Sequence, residues 1–326
     1  MKRTGNLYEQ ICSIDNLKIA DAKARKGKKK QYGIKLWDKA PDANILSLHN
    51  ELTAKTYKTS PYSVFKVYEP KERDVYRLPY RDRVVHHAIM NLLEPIFTPM
   101  FTTDTYSCIK GKGIYSMFTA LRLALKNKSE TIYCFQGDIK KYYPSVDHDI
   151  LKNIVRRKIK DNDLLSLLDS IIDSAPGIPI GNYLSQYFAN LYLTPFDHYI
   201  KEQMGVKHYF RYLDDIIVLS GNKAYLHALR ASIQAYFEEH LKLTLKSNYS
   251  VFPSAEGIDV IGHVFYPTHI LVRKSIKQNA FRAIKKRKKP NAIAGHMGWL
   301  KHGNCKNLIK KLLCTNSATS VLTQTQ

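Results

Sequence analysis

Arg211-Tyr212-Leu213-Asp214-Asp215-Ile216-Ile217-Val218-Leu219 places two adjacent acids inside an otherwise aromatic and β-branched run. The pattern predicts a β-hairpin with the acids at its turn. An ordinary hairpin turn would let one or both acids face water. Two carboxylates on a buried turn instead require neutralisation, and a divalent cation is the usual means. Upstream, Tyr133-Cys134-Phe135-Gln136-Gly137-Asp138 reads as a short apolar strand that delivers a third acid, Asp138, at its end. Three carboxylates around two Mg²⁺ ions about 3.5–4 Å apart would align an attacking hydroxyl and a leaving pyrophosphate. Polymerase chemistry is therefore the first expectation, with Asp138, Asp214 and Asp215 as catalytic acids and metal ligands. Mg²⁺ suits all-oxygen coordination shared with substrate phosphates, and Mn²⁺ is expected to substitute. Asp147 and Asp149 lie nearby in sequence, but acids at a predicted helix start are better read as N-terminal caps.

The order of four segments carries a resemblance. Arg77-Leu78-Pro79-Tyr80-Arg81-Asp82-Arg83-Val84-Val85-His86-His87 comes first, then Asp138 with Tyr142-Tyr143-Pro144-Ser145. Gly177-Ile178-Pro179-Ile180-Gly181-Asn182-Tyr183-Leu184-Ser185-Gln186 follows, and Tyr212-Leu213-Asp214-Asp215 is the last. Together they resemble successive motifs of reverse transcriptases. Gly257-Ile258-Asp259-Val260-Ile261-Gly262-His263-Val264-Phe265-Tyr266 extends the likeness, being similar to the strand pair that grips a primer end. Within that family the chain looks most like the enzymes of diversity-generating retroelements, because Ile180-Gly181 stands where most reverse transcriptases carry Gln-Gly. Segments 105–113 and 298–305 share that likeness. The resemblance implies an RNA-directed DNA polymerase that copies a template-repeat RNA into error-rich cDNA, assisted by a basic, oligomeric accessory variability protein. RNA template, DNA or RNA primer and deoxynucleoside triphosphates are the implied substrates.

The resemblance also implies roles residue by residue. The main-chain carbonyl of Ile139 would join the acids as a metal ligand. Tyr143, five residues after Asp138, matches the aromatic steric gate that excludes a ribonucleotide 2′-hydroxyl, with Tyr142 buried beneath it. Arg73, nine residues before Asp82, has the spacing of a fingers arginine on the incoming triphosphate, assisted by Lys71; a guanidinium fork suits phosphate. Lys110 and Lys112 flank Gly111 in a loop that would approach triphosphate or template backbone. Ile180, Gly181 and Gln186 would line the nucleotide pocket. An aliphatic side chain at Ile180 can only pack, so discrimination that depends on fixed polar contacts should weaken. Tyr249 stands where the family has a lysine that protonates pyrophosphate, which leaves Lys246 as the candidate general acid.

Composition agrees with a polyanionic partner. The 326 residues carry 51 Lys and Arg against 28 Asp and Glu, a net charge of +23, and so large an imbalance favours nucleic acid. No acidic residue follows Asp259, whereas Arg273, Lys274, Arg282, Lys285, Lys286 and Arg287 begin a basic block that continues to Lys311. Phosphate binding by such a block releases counterions and weakens steeply with salt. Lys23 to Lys30 forms a second basic run, which a solvated loop would explain almost as well. The five cysteines are scattered without a CxxC pair, which argues against zinc and against a disulfide framework. No apolar stretch reaches signal-peptide or membrane-spanning length, so a cytoplasmic protein without membrane partners is expected.

These motifs need elements to position them. The expected class is α+β, a right-hand polymerase with fingers, a palm built on an antiparallel sheet, and a small helical thumb. Residues 1–60 are expected as a helical extension with a basic loop, 61–270 as fingers and palm, 271–314 as the basic thumb, and 315–326 as a disordered tail. Helices are predicted over 82–96, 113–127, 148–172, 182–204, 222–241, 276–288 and 304–314. Strands are predicted within 64–78 and over 131–138, 207–219, 257–266 and 269–273. Two other readings stay open: another bacterial reverse transcriptase, of group II intron or anti-phage type, and a non-catalytic RNA-binding protein on a polymerase scaffold.

Overall fold

The computed structural model describes residues 3–68, 72–286 and 290–312. The chain begins with four helices, α1 (Tyr8–Cys12), α2 (Ile14–Ala24), α3 (Tyr32–Trp37) and α4 (Pro41–Thr53), followed by the hairpin β1 (Ser63–Val67) and β2 (Arg73–Arg77). Next come α5 (Tyr80–Phe97), α6 (Ile114–Ala124), β3 (Tyr133–Asp138), α7 (His148–Arg156), α8 (Asn162–Ile172) and α9 (Tyr183–His198). Strands β4 (His208–Tyr212) and β5 (Asp215–Ser220) form the acid-bearing hairpin, which leads into α10 (Lys223–Tyr236) and β6 (Ser250–Pro253). Three short strands, β7 (Ile258–Val260), β8 (His263–Phe265) and β9 (Ile270–Val272), precede α11 (Lys274–Lys285), α12 (Pro290–Leu300) and a last helix over 306–312. The class is α+β, as expected.

The central sheet runs β4-β5-β3-β6, with every neighbour antiparallel. Both of its faces are covered, which explains the nearly unbroken apolar run Ile216–Leu219. Alternate residues divide between two cores. Phe135, Tyr209, Ile216 and Val218 join α9 and α10, through Tyr192, Phe196, Leu229 and Ile233. Cys134, Phe210, Ile217 and Leu219 meet Met117, Phe118 and Leu121 of α6 together with Ile258 and Phe265 of the three-stranded sheet. A one-residue slip would exchange these sets, so double-sided packing fixes the register that sets the acids opposite one another. By contrast, β1 is exposed along its whole length.

Several elements depart from the periodicity. The helix predicted over 148–172 is two helices, because Asp161 starts a new one by accepting the Leu164 N–H. The break also receives the start of the described chain: the Thr4 N–H donates to Lys158 O at 2.7 Å, and the Thr4 carbonyl accepts the Lys160 N–H at 2.8 Å. Strand β6 was not predicted; it is four residues ending in Pro253, a residue tolerated on a sheet edge. Helix α12 was not predicted either, since Gly295 and Gly298 lower its propensity; Met297 and Leu300 hold it against Val272, Ile276 and Ile284. Among the described residues no helix is long and apolar enough to cross a membrane. The expected tail over 315–326 lies outside the described residues.

Asp161 also accepts the Leu7 and Tyr8 N–H groups on Oδ2 at 2.7 and 3.0 Å. Burial pushes its carboxyl up, but the backbone donors of Tyr8, Leu7, Leu164 and Asp163 outweigh it and hold the group below the usual carboxylate range. Its stabilisation is therefore present above the unfolded value near ~4 and is lost as pH falls through the lower folded value. Asp161→Ala should cost about 1–3 kcal/mol in urea unfolding at pH 7. The difference from wild type should shrink as the medium is acidified below about pH 4.

Candidate active site

The hairpin turn is two residues long, Leu213 and Asp214, between Tyr212 and Asp215, which are paired. Leu213 sits in the left-handed region at φ 54°, a conformation that costs a side-chain-bearing residue ~1–2 kcal/mol. Strand β3 runs alongside β5 so that Asp138 lies directly opposite Asp215. Like charges in such a pair destabilise a sheet. Burial, then the charges of Asp138 and Asp215, push the Asp214 carboxyl up to about 7. The structure thus brings the three predicted acids to one corner of the sheet.

Lys246 shares that corner. Its ammonium contacts Asp138 Oδ2, and its N–H donates to the Asp138 carbonyl at 2.9 Å. Lys140 N–H donates to Thr244 O, so the bonds around the Ile139–Leu245 bridge run through Asp138 and Lys140 and leave the Ile139 carbonyl outside that pair. Tyr249 is elsewhere, its ring under the Arg230 guanidinium at 4.5 Å. The other Asp138 oxygen, Oδ1, is buried without a hydrogen-bond partner. An orphaned carboxylate oxygen, a carboxyl raised by burial and by its like-charged neighbours, and an available carbonyl are hard oxygen donors, and they fit a divalent cation such as Mg²⁺. Among the described residues, no three Asp, Glu, His or Cys side chains close into a preformed metal cage. A cation here would draw further oxygens from substrate.

The expected nucleotide side is assembled from three segments. Tyr143, in a 3₁₀ turn, is half-buried, and Tyr142 beneath it is 2% exposed with its hydroxyl on the Ala189 carbonyl at 2.5 Å. Burial, Cys108 and Asp214 raise the Tyr143 phenol while the charge of Arg73 opposes them, so acid cluster, Arg73 and ring act on one space. Ile178 N–H donates to the Tyr143 carbonyl at 2.9 Å, and Gly177 (φ 58°) leaves no room for a Cβ against that carbonyl. Tyr76 N–H donates to the Ile180 carbonyl at 2.8 Å, which docks the Arg73-bearing strand on the Ile180–Gly181 turn. Ile180 is half-buried at this junction and Gln186 is exposed on α9. Cys108, a neighbour of Tyr143 in the expected 105–113 segment, was not singled out from sequence; a lone thiol carries no pattern.

The predicted basic contacts divide. Lys110 is exposed in its loop. Lys112 turns inward, donating to the Thr102 and Thr103 carbonyls at 3.3 and 3.0 Å. Arg273 is engaged by Asp259 through both carboxylate oxygens, at 2.7 to 3.1 Å. Lys274, Arg282 and Lys285 are exposed on α11 and Lys286 at its C-cap, while the opposite face of the helix buries Ala280, Ala283 and Ile284. Lys71 and Arg287 lie outside the described residues. Asp147 caps α7 as predicted, accepting the Ile150 N–H at 3.1 Å.

A family model described as reverse transcriptase (RNA-dependent DNA polymerase) matches residues 69–265. The chain belongs to this reverse transcriptase family. The reverse transcriptase is 26% identical to Escherichia coli (strain K12) protein YkfC over 287 residues, 73% of each chain. It is 28% identical to nuclear intron maturase 4, mitochondrial, of Arabidopsis thaliana over 47% of this chain and 20% of the other. Over 37% of this chain and 22% of the other, it is 24% identical to the group II intron-encoded protein LtrA of Lactococcus lactis subsp. cremoris. Among solved structures, apo telomerase from Candida tropicalis matches with a TM-score of 0.58 at 10% identity, over 87% of this chain and 63% of that one. That likeness is one of fold.

Gly181 couples the Arg73-bearing strand to this turn. At φ 118° a Cβ would come 2.6 Å from the Tyr76 carbonyl, so Gly181→Ala must shift the docked strand and Arg73 with it. We expect the nucleotide KM of primer extension to rise about tenfold, equivalent to ~1.4 kcal/mol, with thermal unfolding moved far less. An unchanged KM would show that β2 docking does not place Arg73.

Proposed function

We propose that this reverse transcriptase is an active RNA-directed DNA polymerase with a two-metal site at Asp138, Asp214 and Asp215. The observation that carries the reading is the register of Asp138 against Asp215, with Asp214 beside them and a buried Asp138 oxygen left without a partner. Bound Mg²⁺ would supply Lewis-acid stabilisation and alignment of the attacking and leaving oxygens, held by the three carboxylates and the Ile139 carbonyl. Arg73 would then neutralise the triphosphate from the fingers side. Tyr143 would lie against the sugar and select deoxynucleotides. Lys246, whose ammonium rests on Asp138 Oδ2, is within the same cluster to give a proton to departing pyrophosphate. RNA template and primer are the proposed partners, with the exposed cations of α11 on the phosphate backbone.

For the biological role, we propose a diversity-generating retroelement enzyme working with a basic accessory protein. Support comes from Ile180-Gly181 in place of Gln-Gly, at a residue that meets the fingers strand. A group II intron-like role is the second reading, favoured by the partial matches to LtrA and an intron maturase. Imperfect repeats beside the gene, differing mainly at template adenines, would distinguish the first from the second.

Primer extension on an RNA template with Mg²⁺ tests the chemistry. The Asp214→Ala, Asp215→Ala double variant should lose at least ~10³-fold in rate, several kcal/mol of transition-state stabilisation. It should remain folded, because it relieves like-charge crowding. Equal extension by variant and wild type would remove these acids from the mechanism. Fidelity tests the role of Ile180: Ile180→Gln should lower the substitution frequency in sequenced cDNA, and an unaltered frequency would sink the account of loose copying.

A further inference from the structure

Arg211 is the largest fully buried side chain among the described residues, and it lies two positions before the strained turn. Its Nε donates to Asp197 Oδ1 at 2.7 Å and its Nη2 to Oδ2 at 2.5 Å, an ion pair with both side chains at 0% exposure. The remaining nitrogen, Nη1, points the other way. It donates to the Leu213 carbonyl at 3.0 Å and to Asn190 Oδ1 at 3.2 Å. Asp197 is itself saturated, taking the Tyr209 hydroxyl at 2.7 Å and the Thr105 hydroxyl at 3.0 Å. Asn190 passes the constraint on, donating to the Ser107 carbonyl at 2.6 Å.

We propose that Arg211 is a positioning residue for catalysis: anchored on α9 by Asp197, its guanidinium holds the Leu213 carbonyl and so aims Asp214 and Asp215 at Asp138. The inference rests on the polymerase reading of that acid cluster. A planar fork is required, because one edge must face Asp197 while a further N–H reaches the turn; an ammonium can satisfy the carboxylate but lacks the second arm. A left-handed leucine persists only where its surroundings over-determine it, and here that surrounding is a carbonyl held by a buried cation. Through Asn190 and Ser107 the same side chain also steadies the loop bearing Cys108, so both walls of the nucleotide space share one anchor.

Arg211→Lys separates positioning from packing. It keeps the buried charge pair, so the melting temperature should stay near wild type, while kcat for primer extension should fall about a hundredfold, the scale of a ~1 Å misplacement. The nucleotide KM should hold. Adding Leu213→Gly, a residue that adopts φ 54° freely, should restore at least a tenth of the lost rate. Mn²⁺ titration by electron paramagnetic resonance gives a readout independent of turnover: half-saturation should rise in Arg211→Lys and return with Leu213→Gly. A folded Arg211→Lys with wild-type kcat and Mn²⁺ affinity overturns the proposal, as does a double variant that recovers neither. Should Arg211→Lys fail to fold, the Asp197→Asn, Arg211→Met pair buries no charge and is read by the same two measurements. If the wild type extends no primer, the polymerase reading fails while the Mn²⁺ arm still decides the positioning claim.

Discussion

Electrostatic crowding at one corner of a four-stranded sheet governs this protein. Asp138 and Asp215 face each other across neighbouring strands with Asp214 on the adjoining turn, a placement that no isolated hairpin would adopt. Burial, followed by the charges of Asp138 and Asp215, pushes the Asp214 carboxyl up, and protonating one acid would relieve the crowding. So would a cation, and Lys246 already supplies one on Asp138. Stability and function therefore pull in opposite directions at this corner, which is typical of sites built to bind charge rather than to hold a fold together.

The surrounding structure absorbs that cost in ways that can be traced. Apolar cores on both faces of the sheet leave β3 and β5 no alternative register, so repulsion cannot be escaped by a slip. The turn is secured by the buried Arg211–Asp197 pair. Such a pair is weak evidence for net stability, because desolvation of both ions offsets their attraction. Its geometry is better explained as specificity: every nitrogen of the fork has a partner, and one of those partners is the turn carbonyl.

The fingers hairpin follows the opposite logic. Strand β1 is exposed throughout, and the Lys66–Glu72 contact across the hairpin is solvent-exposed at both ends, so its position is set where β2 meets the Ile180–Gly181 turn. The Tyr76 to Ile180 backbone hydrogen bond and the absence of a Cβ at Gly181 dock the Arg73-bearing strand there. Little apolar burial opposes movement of this hairpin.

Much of the site was legible before any coordinates. Tyr143, the Gly177–Gly181 turn and the motif order were carried by the family resemblance, whereas the acids follow from residue type and spacing, because strand alternation and turn chemistry are local. The cap at Asp147 was legible for the same reason. Arg211 stood within the opening run yet its role was not, since its partner Asp197 lies on another element. Nor could charge alone separate the basic contacts: Arg273 is paired with Asp259 and Lys112 is turned onto its own loop, whereas Lys274 and Lys285 face solvent. Helix α12 and strand β6 escaped prediction because packing overrode poor local propensity. The sequence by itself determined which groups could bind metal and phosphate, through their chemistry and short-range order. Only the tertiary structure decided which of those charges are spent on one another, because pairing depends on distances that the sheet register and the buried α9 contact impose across the chain.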